Sequence, residues 1–281
     1  MNVSILGLGL MGGSLGLALR ERGLARVTGY ARRESTRRAA VRGRIVDVCH
    51  ATPADAVRDA DVAVFCTPVL TIPALIRECR DAFRPGCVVT DVGSTKANVQ
   101  EKAEEALVGS RAVFVGSHPM AGSEKSGLEA ARADLYDGAV TAVTQGAGAD
   151  GAAVDRICRL WWGVGARVVR LAAAEHDALV ARTSHLPHLL AALLVKVAGR
   201  DRTDEVKAFC GAGFRDATRI AAGSPDMWHD IVKTNHAALI EELRVFGKEL
   251  DALASMLEQR DYDRVKALLE HGRALRGTLV G

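Results

Sequence analysis

The feature that most limits what this chain can become lies at its start. Val3-Ser4-Ile5-Leu6 is a short apolar run of strand type that stops at Gly7-Leu8-Gly9-Leu10-Met11-Gly12-Gly13-Ser14, and residues 14–22 then read as an amphipathic helix. A buried strand that turns through glycines directly into a helix is the first half of a βαβ unit. Gly7 permits the tight turn, Gly9 lets a pyrophosphate approach the backbone, and Gly12 lets the helix pack on the strand. The helix N-terminus then offers its free amides to phosphate. With a second strand expected at 26–30, these residues predict a dinucleotide site built from Gly7, Gly9, Gly12, Gly13 and Ser14.

The alternation continues. Strand-like runs recur at 62–66, 87–91, 112–115 and 139–144, with helical patterns such as 71–83 between them, and a last unit pairs a helix at 152–162 with a strand at 167–170. This order predicts an α/β Rossmann-type parallel sheet domain over residues 1–171. Beyond residue 171 the strands vanish, and residues 172–281 are expected to form an all-α domain. Leu239, Leu243, Phe246, Leu250, Leu253 and Leu257 recur at three- or four-residue intervals within a periodic stretch at 225–259. Read as one helix, it is too long to be covered by its own chain, which predicts a homodimer through the helical domain.

Charge and cysteine content narrow the function. Lys+Arg 37 against Asp+Glu 34 gives a net +3, and no basic stretch is interleaved with aromatics, so no nucleic-acid partner is expected. Six dispersed cysteines without a CxxC pair read as reduced thiols of a cytoplasmic protein. The first 19 residues lack a basic leader region, and the apolar run at 189–198 contains Lys196 and is shorter than the ~20 residues of a membrane span. Neither export nor membrane insertion is expected.

Where the second strand ends, an acid would read the ribose 2′-hydroxyl of NAD. The sequence there is Tyr30-Ala31-Arg32-Arg33-Glu34-Ser35-Thr36, with two guanidiniums at the strand end in place of the acid. Arginine binds phosphate through paired, charge-assisted hydrogen bonds, so Arg32, Arg33, Ser35 or Thr36 is expected to hold a 2′-phosphate, and NADP is preferred over NAD. Thr67-Pro68 closes the strand at 62–66, where a loop runs under the nicotinamide-side ribose. Asp91-Val92-Gly93-Ser94-Thr95-Lys96 closes the next and opens a helix, so Ser94 or Thr95 is a candidate N-cap as well as a site residue. His118, in a Gly/Pro-rich loop after a strand, is poorly placed for core packing and well placed for proton transfer.

The motifs GLGLMGGS, DVGSTK, SHPMAGSEKSG, TSHLPH, GFRDATRIA and PDMW, spread from residue 3 to about 235, resemble in order the prephenate and arogenate dehydrogenases of tyrosine biosynthesis. The resemblance implies a nucleotide-binding sheet domain, a helical dimerisation domain and oxidative decarboxylation of a cyclohexadiene. It implies that His118 is the proton acceptor, that Ser94 hydrogen-bonds the substrate hydroxyl and orients the histidine and cofactor, and that Arg219 binds a substrate carboxylate. It places His188 and His185 in the substrate site and Glu124 with Lys125 in a gating loop. Arg215, four residues before Arg219 on one helical face, is expected to raise the local positive potential. His185 and His188 also allow a zinc pair, but no third ligand is evident and no metal is expected. Prephenate and L-arogenate both remain open as substrate. A related β-hydroxyacid or imine reductase would need a catalytic lysine, with Lys196 or Lys233 the candidates, and a non-catalytic NADP sensor would need no base. No fused mutase or regulatory domain is expected.

Overall fold

The strands explain the sheet residue by residue. Ile5 and Leu6 point to opposite faces, as do Val62 and Val64 against Ala63 and Phe65, and each set joins a different hydrophobic cluster. A strand buried on both faces is what parallel pairing with helices on either side requires. The computed structural model describes residues 1–122, 125–201 and 203–280. The chain divides into two compact units, Met1–His236 and Ala237–Gly281.

The first unit contains β1 (Asn2–Leu6), α1 (Leu10–Glu21), β2 (Arg26–Tyr30), α2 (Glu34–Arg42), β3 (Val48–His50), α3 (Pro53–Val57), β4 (Val62–Phe65), α4 (Ile72–Cys79), β5 (Val88–Asp91) and α5 (Ala97–Ala106). It continues with β6 (Val113–Pro119), β7 (Val140–Gln145), α6 (Gly151–Gly163) and β8 (Arg167–Arg170). The eight strands lie in the order β3-β2-β1-β4-β5-β6-β7-β8. The order reverses between β1 and β4, so a crevice opens at the carboxyl ends of those strands. Leu15, Leu19, Ile157 and Trp161 cover one face, and Ile72, Ile76, Val99 and Ala103 cover the other.

Two sheet features differ from the expectation. β3, a three-residue edge strand, is too short to leave a periodic signal. β7 runs antiparallel to β6, whereas a wholly parallel sheet was expected. Between them, among the described residues, lies only a short 3₁₀ turn at Leu128–Ala130. No helix is available for the crossover that parallel pairing needs. Parallel pairing resumes between β7 and β8 through α6.

The helices that follow are α7 (Ala173–Val180), α8 (Leu186–Ala198), α9 (Thr203–Phe209), α10 (Ala212–Thr218) and α11 (Pro225–Thr234). A π-turn at Ala181–His185 joins α7 to α8. Pro187 lacks the amide that would bond back to Thr183, and the wider turn relieves that conflict. By length and composition the helix over Ala173–Ala198 is apolar enough to cross a bilayer. Its buried His176, Asp177 and His185 are instead hydrogen-bonded within the unit.

The second unit holds most of α12 (His236–Glu258) together with α13 (Tyr262–Val280). The single helix expected over 225–259 is therefore broken at Asn235. Its backbone leaves the helical region (φ −126°, ψ 28°), and its buried side chain donates to the Asp177 carbonyl at 2.8 Å.

Candidate active site

At the carboxyl edge of β1, β2 and β4 lies a cleft of about 790 Å³, within the usual range for a small-molecule site. Gly7 turns the chain into it with φ +104°, and a side chain there would come within 2.6 Å of the Cys66 carbonyl. A side chain at Gly12 would sit 2.0 Å from the Gly7 carbonyl, so helix and turn can meet only as glycines. Gly9 is the N-cap of α1 and provides no side-chain cap, which leaves the first amides of the helix free for an anion. No protein atom lies within 4 Å of where a Gly9 side chain would stand. These features fit a dinucleotide pyrophosphate.

Arg32, Arg33, Ser35 and Thr36 line the same cleft, as do Thr67 and Pro68 on its β4 side. Arg42, which sequence reading did not single out, joins them with Ala39. Ser35, Ala39 and Arg42 fall at helical spacing on one face of α2. The single acid of this segment, Glu34, pairs with Arg38 at 2.5 Å and lies outside the cleft. Gly12, Gly13 and Ser14 do not line it either. Gly13 faces Leu128 and Ala131, and Ser14 Oγ accepts from the Arg132 amide at 3.0 Å, so they anchor the loop after β6 against α1.

Two strands beyond β4, β6 brings His118 to the same edge. Its Nδ1 lies 2.9 Å from Nε2 of His176 in α7, and His176 Nδ1 lies 2.8 Å from Asp177 Oδ1. A carboxylate only accepts, so His176 donates to it through Nδ1, and its Nε2 is left to accept from His118 Nδ1. The tautomer that follows leaves the lone pair of His118 on Nε2. Burial, reinforced by repulsion from His176, Lys96 and His185, holds the His118 imidazolium well below the usual histidine range. The ring is therefore neutral near pH 7.

Asp177 also accepts from the Lys96 amide at 2.7 Å and the Ala97 amide at 2.9 Å. It thus caps α5 from another helix, the task that Ser94 or Thr95 was expected to perform. Thr95 Oγ1 instead meets Thr234 Oγ1 at 2.9 Å. Ser94 is half-buried, and its hydroxyl has no partner among the described residues. Beneath this loop Lys96 and Asp91, both wholly buried, form an ion pair. Burial draws the Lys96 ammonium below the usual lysine range, opposed by Asp91. Asp91 in turn accepts from the Ser117 amide at 3.1 Å and the Gly93 amide at 2.9 Å, which fixes the strand position before His118.

The π-turn and α8 present the other two histidines. His185 Nδ1 accepts from Asn235 Nδ2 at 3.2 Å, and the His188 ring stacks on Trp228 with centroids 3.5 Å apart. Burial, against the attraction of Asp177, draws His185 down to about 4, and it lowers His188 as well. Arg219 is exposed on a 3₁₀ turn, Arg219–Ala222, that packs on α8 and leads to Gly223. A side chain at Gly223 would come within 3.0 Å of both Trp228 and His188. Because α10 ends at Thr218, Arg215 and Arg219 do not share the continuous helical face that was expected. Arg215 bonds the Cys210 carbonyl at 2.8 Å. Glu124 lies outside the described residues.

Sequence reading missed His176, Asp177, Asn235 and Trp228 as site residues. Asn235 and the His176-Asp177 pair sit in no glycine-marked turn, and only the fold brings them to His118 or His185. Trp228 belonged to a quoted motif without being given a role.

Comparison with known proteins agrees with this layout. Residues 15–170 match the family model described as prephenate dehydrogenase, nucleotide-binding domain, and residues 172–271 match prephenate dehydrogenase, dimerization domain. The chain is 34% identical to prephenate dehydrogenase of Bacillus subtilis (strain 168), over 94% of this chain and 72% of that protein. It is 32% identical to cyclohexadienyl dehydrogenase of Zymomonas mobilis, over 96% and 92%. Its fold matches a crystal structure of A. aeolicus prephenate dehydrogenase in complex with hydroxyphenyl propionate and NAD+, with TM-score 0.91, 31% identity and coverage of 99% and 98%. It also matches Synechocystis arogenate dehydrogenase, with TM-score 0.89, 27% identity and complete coverage of both chains.

Proposed function

Because this chain belongs to the prephenate dehydrogenase family, we propose that it oxidises prephenate and releases the ring carboxylate as carbon dioxide, giving 4-hydroxyphenylpyruvate. The observation that carries the reading is the neutral His118, with its Nε2 lone pair unengaged among the described residues at the edge of the sheet that also carries the cleft.

The bound nicotinamide supplies the acceptor for the C4 hydride. The chain's own residues do the rest. His118 Nε2 takes the proton of the C4 hydroxyl, Ser94 orients that hydroxyl, and Arg219 clamps a carboxylate as a planar guanidinium does best. His188 on its Trp228 platform and His185 shape the remaining wall, with Arg215 and Glu124 as further substrate-side residues. Residues 1–171 hold the cofactor, and residues 172–281 supply the substrate wall and the partner contact. NADP is preferred over NAD. Arg32, Arg33 and Arg42 around the cleft, with Glu34 turned to Arg38, support that preference.

The protein acts as a cytoplasmic homodimer. Val245, Leu250 and Leu257 of α12 and Leu269 of α13 are exposed, and apolar surface of that extent calls for a partner. Light scattering that finds only monomers at micromolar concentration would remove this part. The activity itself is tested by assaying prephenate and L-arogenate, each with NADP and NAD. Fastest turnover of prephenate with NADP is expected. Preference for L-arogenate would move the enzyme to tyrosine formation, and silence with both substrates would overturn the reading.

A further inference from the structure

We propose that His176 is a second proton carrier: the proton that His118 takes from the substrate hydroxyl is matched by transfer of the His118 Nδ1 proton to His176 Nε2, so that the positive charge rests beside Asp177. The inference builds on the dehydrogenase reading. Its geometry is the chain His118 Nδ1 to His176 Nε2 at 2.9 Å and His176 Nδ1 to Asp177 Oδ1 at 2.8 Å.

Charge placement gives the direction. A cation on His118 faces the Lys96 ammonium and the rings of His176 and His185, and among the described residues none of its hydrogen bonds goes to a carboxylate. A cation on His176 donates directly to Asp177, which also accepts from the Lys96 and Ala97 amides. Asp91, the other buried acid nearby, is already committed to Lys96. His188 acts on the network through His185. The same burial that keeps His118 neutral makes it a weak base on its own, and the second ring removes that weakness.

The step balances. The C4–H bond gives its electron pair to the nicotinamide, the hydroxyl proton goes to His118 Nε2, and the Nδ1 proton moves to His176. The bond from the ring to its carboxylate then breaks, its electrons aromatise the ring, and the proton returns by the same path to the C4 oxygen. No net proton is released by the protein.

His176→Gln separates relay from positioning, because an amide oxygen can still accept from His118 Nδ1 but cannot carry the proton away. Expected for His176→Gln is a loss in kcat of roughly 10²-fold, within the range for proton-transfer groups, with the substrate KM and NADP affinity near wild type. The solvent isotope effect should change from a two-proton to a one-proton inventory. Nitrogen-15 NMR of the free wild-type enzyme should find His118 protonated at Nδ1. Wild-type kcat in His176→Gln, or His118 protonated at Nε2, would overturn the relay while leaving the dehydrogenase assignment intact. Equal loss in His176→Gln and His176→Ala with unchanged melting temperature supports it. If wild-type enzyme turns over neither substrate, the parent reading fails instead.

Discussion

The cleft at β1, β2 and β4 and the His118 site stand at one edge of one sheet and are built in opposite ways. The cleft is open, lined by glycines and exposed arginines from neighbouring stretches of sequence, and its binding groups await a ligand. Around His118, Lys96, Asp177 and Asn235 are buried and already paired, Lys96 with Asp91, Asp177 with two amides and His176, Asn235 with His185, whereas the hydroxyl of half-buried Ser94 has no partner among the described residues. A phosphate can be held by exposed groups that bind it from water. A proton acceptor must be held in one tautomer, and in a buried site that requires every neighbour to be satisfied.

The contrast breaks most sharply at His118. Replacing it with Asn removes the base and leaves a side chain of similar shape, so kcat is expected to fall roughly 10²- to 10⁴-fold with little change in KM. Steady-state kinetics with prephenate checks this, and an unaltered kcat would place the base elsewhere. Arg219 is exposed and outside the buried network, so Arg219→Gln should act on binding. A rise in the substrate KM of about 10- to 100-fold is expected from losing a charged hydrogen bond. A fall confined to kcat would reject the clamp. On the cofactor side the effects divide among several arginines. Arg33→Ala or Arg42→Ala should each raise the KM for NADP by about tenfold, at the lower end for a charged contact, and leave that for NAD unchanged. Equal effects on both cofactors would mean that the arginines do not meet a 2′-phosphate.

The two regions also differ in how far the sequence disclosed them. Gly7, Gly9, Arg32 and Thr67 were legible because a strand, a turn and a helix start lie within a few residues, and local spacing fixes what such a segment can do. The same holds for β1, β4 and β5, which are buried on both faces and announce themselves as apolar runs. His118 was legible as an ill-fitting histidine at a strand end. Its partners were not, because His176 and Asp177 sit 58 and 59 residues away on α7, outside every motif that the sequence singled out. Asn235 was hidden for the same reason: within a heptad-like stretch a single buried amide does not interrupt the leucine spacing, and its helix-breaking role depends on an acceptor in α7. The antiparallel β7 lacked a signal too, since strand direction is set by the connection and not by the strand's own residues.

Acidification distinguishes the regions by sign. If His118 is the proposed base it must be neutral to accept a proton, and with burial lowering it the acid limb of kcat/KM is expected below the ordinary histidine value of 6.5. Activity should therefore hold through pH 7 and decline only at more acid pH, and a limb at or above 6.5 would mean that the ring is solvated. A smaller effect is expected on stability. His185 is drawn from 6.5 to about 4 in the folded protein, chiefly by burial, and its Nδ1 accepts from Asn235, which a protonated nitrogen cannot do. Between those values the unfolded chain binds a proton that the folded one refuses, so stability is full above 6.5 and declines as pH falls toward 4. Denaturant midpoints measured across that window should fall less steeply in His185→Gln than in wild type, even though the variant starts lower at pH 7 for want of the ring. On the proposed reading NADP is held at the cleft of β1, β2 and β4, away from His185, so its affinity should show no His185-dependent change over the same range. Superimposable stability slopes would mean that the second histidine pair is not buried as a neutral unit.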